Sequence, residues 1–339
     1  MKSFDLRSDT LTLPSKDMRK AMYLADVGDD VYAEDPTVNK LQDLAAKITG
    51  KRAALFVSSG SMGNLIPLYI NAGKGGEILT QKNSHIIHYE LSSVSALAGA
   101  MPVAVEGERG ILTPAELEKH LRPDIYYMPR VKMVEIENSH NKEGGTCYKL
   151  NELKAVSDFA KKNTLKIHMD GARLFNASEA TGIPVKKICS HVDTVTFCLS
   201  KGLGAPVGSM LCGSEKFIAE ARRVRKMLGG GMRQVGVLAA AGIYALENNI
   251  KRLRIDHANA KLLAETLAEV SWAEIDPGNV ETNILYFSTG ERKAETVVAS
   301  LAKKGILSSA LDSNSIRFVT HLGISEEDTQ EICKILKGI

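Results

Sequence analysis

The chain of 339 residues has little cysteine, no excess charge of either sign and no long apolar run. Its five cysteines, Cys147, Cys189, Cys198, Cys212 and Cys333, are odd in number and form no CxxC pair. That argues against a disulfide framework and for reduced thiols; Cys198 and Cys212, set in apolar runs, read as small hydrophobes. Lys+Arg total 43 and Asp+Glu 40, a net charge of +3, too balanced for nucleic acid or an anionic membrane as the main partner. No apolar run approaches the ~18 residues of a membrane helix, and "MKSFDLRSDT" lacks the apolar stretch of a signal peptide. Internal repeats and low-complexity tracts are also missing. These absences leave a cytoplasmic protein acting on a small molecule, with no nucleic-acid or membrane partner and no metal expected.

What is present is an ordinary globular composition, 44% hydrophobic and 24% charged, in a chain long enough for two domains. From about residue 52 to 212, "RAALFVSS", "GEILTQ", "MPVAVEG", "VKMVEIEN", "LKIHMD", "DTVTFCLS" and "VGSMLCG" read as strands, most of them bounded by turn residues. Helix-length segments separate several of them, such as "LNELKAVSDFAKKN" with Leu153, Val156, Phe159 and Ala160 at helical spacing. The alternation predicts an α/β fold, a mainly parallel sheet covered on both faces. "PSKDMRKAMYLADVG" and "DPTVNKLQDLAAKITG" before it, and "SEKFIAEARRVRKMLGGG" after it, predict helices, each with punctuation at its ends. Residues 236–270 are helical but too long for one element, so a bend is expected near 248–255. The tail predicts strands at "WAEID", "TNILYFS" and "SIRFVTHL" and helices at "RKAETVVASLAKKG" and "SEEDTQEICKILKG". The resulting division is a large domain over 1–250 and a small C-terminal α+β domain over 251–339.

Ligands of such sheets bind beyond the carboxyl ends of the strands, so the residues there carry the functional reading. "LFVSSGSMGN" passes from strand to helix through Ser59, Gly60 and Ser61. Small residues at a helix N-terminus form either an ordinary capped turn or a cup for phosphate. Asp170 ends "LKIHMD", where an acid can cap the next turn, orient a metal or hold a proton on a heterocyclic nitrogen. His168, two residues earlier, shares its side of the strand and reads as a packed or supporting histidine. Lys201 ends another strand among glycines; it is a solvated loop lysine or an amine that forms a Schiff base with an aldehyde. The combination matters more than any member, because a phosphate cup, an acid and a lysine are the three contacts pyridoxal 5′-phosphate (PLP) requires. His85 follows "GEILTQ" soonest among His85, His88 and Tyr89, and is the choice for a flat group stacked on the cofactor ring. Arg317, a charge inside an apolar strand, suits a substrate carboxylate. Of the cations in "RRVRKMLGGGMRQVG", Arg222, Arg223, Arg225 and Lys226 read as a solvated helix face. Arg233, past the glycines, can reach an anion on its own or a neighbouring subunit.

The segments "DLRSDT", "VGDDVYAEDPTVNKL", "SSGSMGN", "SHI", "IENSHN", "HMDGARLFNA", "CLSKGLGAPVGS", "RKMLGGGMRQ" and "IRFVTHL" run nearly end to end. Together they resemble the low-specificity L-threonine aldolases (L-allo-threonine aldolases among them), PLP enzymes of fold type I with the aspartate-aminotransferase-like architecture. The resemblance implies that Lys201 holds PLP, Asp170 bonds its ring nitrogen and His85 stacks on the ring. Gly60 and Ser61 would bind the phosphate with Arg233, the latter from a neighbouring subunit. Ser8, Arg173 and Arg317 would receive the substrate carboxylate, Arg173 lying beside the cofactor as well, and "DLRSDT", a charged arm of little packing value, would be a lid. The implied reaction is retro-aldol cleavage of L-threonine or L-allo-threonine to glycine and acetaldehyde, in a homodimer with shared sites or a tetramer of such dimers. A β-eliminating lyase or aminotransferase on the same fold is the alternative, and a non-catalytic binder the third reading. Two departures stand out. Leu91, Ser92 and Ser93 occupy positions where relatives often have glycines, and Tyr126 and Tyr127 stand in a stretch where many have a second active-site histidine.

Overall fold

The computed structural model describes residues 2–339. After a two-residue strand β1 (Phe4–Asp5), the seven predicted runs form β2 (Ala53–Val57), β3 (Gly76–Gln81), β4 (Met101–Val105), β5 (Arg130–Glu137), β6 (Lys166–Asp170), β7 (Thr194–Cys198) and β8 (Ser209–Gly213). They make one sheet in the order β2-β8-β7-β6-β5-β3-β4. Strands β4, β3, β5, β6 and β7 are parallel, and β8 runs antiparallel to both its neighbours. The reversal follows from the connection: β7 and β8 are joined by a short loop without a helix, whereas a parallel crossover needs a dozen or more residues. Every residue of β3 and β7 is buried, as expected where helices cover both faces. Only β4, at the sheet edge, is largely open to solvent, and it carries the one strand proline, Pro102, where a missing N–H costs no ladder bond.

The helices begin and end on the residues that predicted them. Helix α1 (Lys16–Tyr23) is capped by the Ser15 side chain and stops short of Gly28. Helix α2 (Pro36–Thr49) is capped by Asp35, starts with proline and ends on Gly50 at φ 70°. Helix α3 (Gly60–Asn71) leaves β2 through its cap Ser59. The long helical stretch divides into Gly236–Asn248 and Leu253–Ala268, inside the window expected for the bend. In the tail, β9 (Ile284–Ser288), β11 (Ser309–Ala310) and β12 (Ser315–Val319) form an antiparallel sheet, while β10 (Ile306–Leu307) pairs with β1. Helices Ala294–Lys303 and Glu326–Lys337 complete it.

Two expectations fail here. "WAEID" is not a strand; Glu274 alone bridges to Ser288. Trp272 and Ala273 are apolar because they are buried in the core, and Asp276 caps a short helix, so neither signal required a ladder. The N-terminal arm also has real packing value. Phe4 and Leu6 are buried in a core built from Ala260, Leu263, Leu267, Phe287 and Phe318, separate from the main core of the large sheet.

Candidate active site

Beyond the carboxyl ends of the parallel strands lies a cleft of about 240 Å³ lined by Ser59, Gly60, Ser61, His85, Asp170 and Lys201. The fold therefore brings six candidates from four separate segments together. A larger groove, about 1330 Å³, opens elsewhere among Lys82, Glu106, Glu108, Arg109, Glu143 and Glu281 and contains none of them. In the cleft, the Ser59 hydroxyl accepts the Met62 N–H at 3.1 Å. The N–H groups of Gly60 and Ser61, in the first turn of α3, have no intrahelical acceptor. A Cβ on Gly60 would lie 2.9 Å from Cys198 Sγ, so any larger residue would require that buried thiol to shift. Lys201 sits just past β7, in no ion pair among the described residues. Gly208, at φ 98°, lets the loop return into β8 with its Cα against Phe56, where a Cβ would come within 2.5 Å of the ring.

Asp170 serves both its local turn and the cleft. One oxygen accepts the Ala172 N–H at 2.9 Å, the other the Asn64 amide at 2.7 Å. Burial opposes its charge, but the nearby His85 and Lys201 and these hydrogen bonds outweigh burial and hold its pKa below the ordinary carboxylate value. His85 opens a short helix, His85–His88. Its Nδ1 lies 2.8 Å from Glu90 Oε1. Burial lowers its pKa, while Glu90 and Asp170 raise it further, so the net shift is upward. His168 is fully buried behind Asp170 rather than in the cleft. It bonds Thr194 Oγ1 at 3.0 Å and Asn64 Oδ1 at 3.2 Å, and burial pushes its pKa down to about 4.

The carboxylate-binding candidates gather at a different point. Arg173 is buried and donates from Nε and Nη2 to the two oxygens of Asp9, at 2.8 and 2.7 Å. Burial works against the Asp9 charge, but the guanidinium prevails and brings its pKa down to about 2. Arg173 Nη1 faces Asn141 Oδ1 at 3.4 Å, and Arg317 Nη1 reaches the same oxygen at 3.2 Å. Arg317 also donates to the Arg7 carbonyl at 3.0 Å, leaving its Nε buried without a partner. Ser8, next along the arm, accepts from the Thr10 N–H and hydroxyl. Two guanidinium groups thus converge on one amide oxygen, an arrangement suited to a carboxylate.

Other expectations are not met within one chain. Arg233 does not line the cleft; it is exposed and pairs with Asp29 at 2.9 Å. Arg225, read as part of a solvated face, is buried against Asp30 and donates to the Phe56 carbonyl at 2.7 Å. Tyr126 and Tyr127 precede β5, at the end of the sheet opposite the cleft, and are exposed. Sequence reasoning missed Asn64, Glu90 and Asn141. Asn64 stands four residues after Gly60 on the same helix, so helical spacing could have placed it at the cleft. Glu90 and Asn141 sit in irregular turns, with no such signal.

The donor set fits PLP. A helix start with glycine at its first position, Gly60, offers unpaired N–H groups to a phosphate. A lysine amine without an ion pair, which would bond an aldehyde, lines the same cleft as Asp170, whose pKa is held below the ordinary carboxylate value.

Comparison with known proteins gives the family and the cofactor. The family model described as beta-eliminating lyase matches residues 5–289. Low-specificity L-threonine aldolase 1 of Arabidopsis thaliana is 44% identical, covering 97% of this chain and 94% of that protein. The low specificity L-threonine aldolase of Escherichia coli K12 is 42% identical over 97% of this chain and 96% of its own. A solved structure of a putative L-allo-threonine aldolase from Listeria monocytogenes superposes with a TM-score of 0.84 at 21% identity, covering 99% and 96% of the two chains. The fold is that of the type I PLP enzymes, and the chain belongs to the low-specificity L-threonine aldolase family within the beta-eliminating lyases.

Proposed function

We propose that the protein is a PLP-dependent lyase cleaving L-threonine and L-allo-threonine to glycine and acetaldehyde. The observation that carries this is the meeting of Lys201, Asp170 and the Ser59–Ser61 helix start on one cleft. When bound, PLP supplies an aldehyde that bonds amines and a ring that takes up the electron pair left on Cα. Lys201 would hold it covalently, Asp170 would keep a proton on its ring nitrogen, and Ser59, Gly60 and Ser61 would bind its phosphate. His85 would lie against the ring. Arg173, Arg317 and Ser8 would fix the substrate carboxylate, so that the bond to Cβ stands where it can break. His85 would take the β-hydroxyl proton as that bond breaks and carry it back toward Cα. This last assignment is supported by the absence of any other imidazole lining the cleft among the described residues.

Arg233 would complete the phosphate site of a neighbouring subunit, which its exposure and its distance from its own cleft support. The protein would accordingly be a homo-oligomer, a dimer with shared sites that pairs into a tetramer, working in the cytoplasm. The two-domain division near residue 250 belongs to the same reading, with the arm packed on the smaller core.

The test is product analysis with both threonine diastereomers. The untreated protein should be yellow and release glycine and acetaldehyde in equal amounts; borohydride should bleach it, fix the cofactor covalently and abolish activity, and Lys201→Ala should retain no fixed cofactor. Ammonia and a keto acid would favour the β-eliminating alternative, which the family model's description keeps in view. Protein that stays colourless with added PLP would end both readings.

A further inference from the structure

The Glu90 side chain is 1% exposed and lies behind His85. Its Oε1 accepts two hydrogen bonds, from His85 Nδ1 at 2.8 Å and from Asn64 Nδ2 at 2.9 Å. Its Oε2 is buried with no partner at all. A desolvated acid with an orphaned oxygen is costly, and nothing in the core requires one here. The Asn64 amide donates its second N–H to Asp170, at 2.7 Å, and its carbonyl faces His168. One amide therefore ties together Glu90, Asp170 and a buried neutral imidazole. Glu90 itself is set by the turn after the His85–His88 helix, where Leu91 and Ser92 both hold left-handed torsions, φ 52° and 56°.

We propose that Glu90 is a positioning residue: it holds the His85 ring in one orientation and keeps a proton on Nδ1. Nε2, which has no partner among the described residues, is then the nitrogen that exchanges a proton with the substrate hydroxyl. Asn64 fixes Glu90 and Asp170 as one unit. This is the role a carboxylate plays when it orients a catalytic imidazole and stabilises the imidazolium that forms. The proton balance is simple. The hydroxyl proton passes to Nε2, the Glu90 carboxylate offsets the charge so created, and the same proton is available to Cα when glycine forms. The other groups facing His85 are Asp170, Lys201, the Tyr89 ring at 5.3 Å and Glu137, which accepts the His85 backbone N–H at 3.0 Å. Of the charged side chains, Asp170 favours the imidazolium and Lys201 opposes it, and Glu90 is the one bonded to the ring.

The inference rests on the cleft being the reaction site, but its test does not need turnover. Holoenzyme labelled with 13C-histidine, with the His85 signal assigned from His85→Gln, gives the His85 titration directly. In the wild-type protein the midpoint should lie above the ordinary histidine value of 6.5. In Glu90→Gln it should fall by at least about one pH unit, a tenfold loss of proton affinity, and Glu90→Asp should recover part of the fall. With threonine, kcat should drop in Glu90→Gln with little change in KM, and the acid limb of the pH profile should move to lower pH with the imidazole. An unchanged His85 midpoint in Glu90→Gln overturns the proposal. If that variant does not fold, a wild-type midpoint at or below 6.5 overturns it alone. A protein that cleaves no threonine yet shows a Glu90-dependent, elevated His85 midpoint would refute the proposed function and the proton exchange at Nε2, and leave only the positioning of the His85 ring by Glu90 standing.

Discussion

Leu91 and Ser92, in the turn after the His85–His88 helix, both stand in the left-handed region. An L-residue there costs roughly 1–2 kcal/mol. Leu91 is 97% exposed, so no packing offsets the strain. Leu91→Gly should stabilise the protein by about 0.5–1 kcal/mol after the glycine's greater unfolded-state freedom is counted. A raised denaturation midpoint checks this; a lowered one means the side chain is covered by something outside the single chain. His168 yields a second residue-scale outcome. Its folded pKa of about 4 lies below the ordinary histidine value of 6.5, so the unfolded chain takes up the proton first. Stability is complete above pH ~6.5 and declines as pH falls toward ~4, by up to about 1.4 kcal/mol per pH unit. His168→Gln should flatten that decline between pH 7 and 5. His257, also held down to about 4 by burial, should keep part of it. Equal slopes in the two proteins would mean that His168 is not buried neutral.

At the scale of elements, the arm is the informative case. "DLRSDT" reads as charged and expendable, yet β1 pairs with β10, Leu6 is fully buried and Asp9 holds Arg173 bidentately. The arm thereby links the tail core to the turn after β6. Breaking a buried ion pair by removing one partner costs roughly 3–5 kcal/mol, so Asp9→Asn should lower the melting temperature by several degrees and raise KM for threonine as Arg173 loses its anchor. An unchanged melting temperature would dismiss the pairing. Because the folded pKa of Asp9 is depressed to about 2 from 3.8, its contribution is present above pH ~4 and is lost as pH falls through ~2. Helix ends were legible because capping is local: Asp35, Pro36 and Gly50 act on their own backbone. "WAEID" was not legible as a buried loop, since apolar alternation cannot distinguish a ladder from a core contact without the neighbouring chain.

For the whole molecule, the proposed shared site makes a prediction that no single-subunit change can mimic. Lys201→Ala and Arg233→Ala should each be inactive or nearly so as pure oligomers. Mixed after dissociation and reassembly, they should regain up to about a quarter of wild-type activity, because a hybrid has one site with both residues intact. No recovery, with hybrids verified by mass, would confine Arg233 to its surface pair with Asp29. The seven-stranded sheet and the strand-end positions of Asp170 and Lys201 were determined by sequence alone, because hydrophobic period, turn residues and helix punctuation are written residue by residue. The convergence of Arg173 and Arg317 on Asn141, the seating of the arm and the Glu90–Asn64–Asp170 unit were decided only by the tertiary structure. Each joins side chains tens to hundreds of positions apart, and their value lies in distances and shared burial that one-dimensional spacing does not encode.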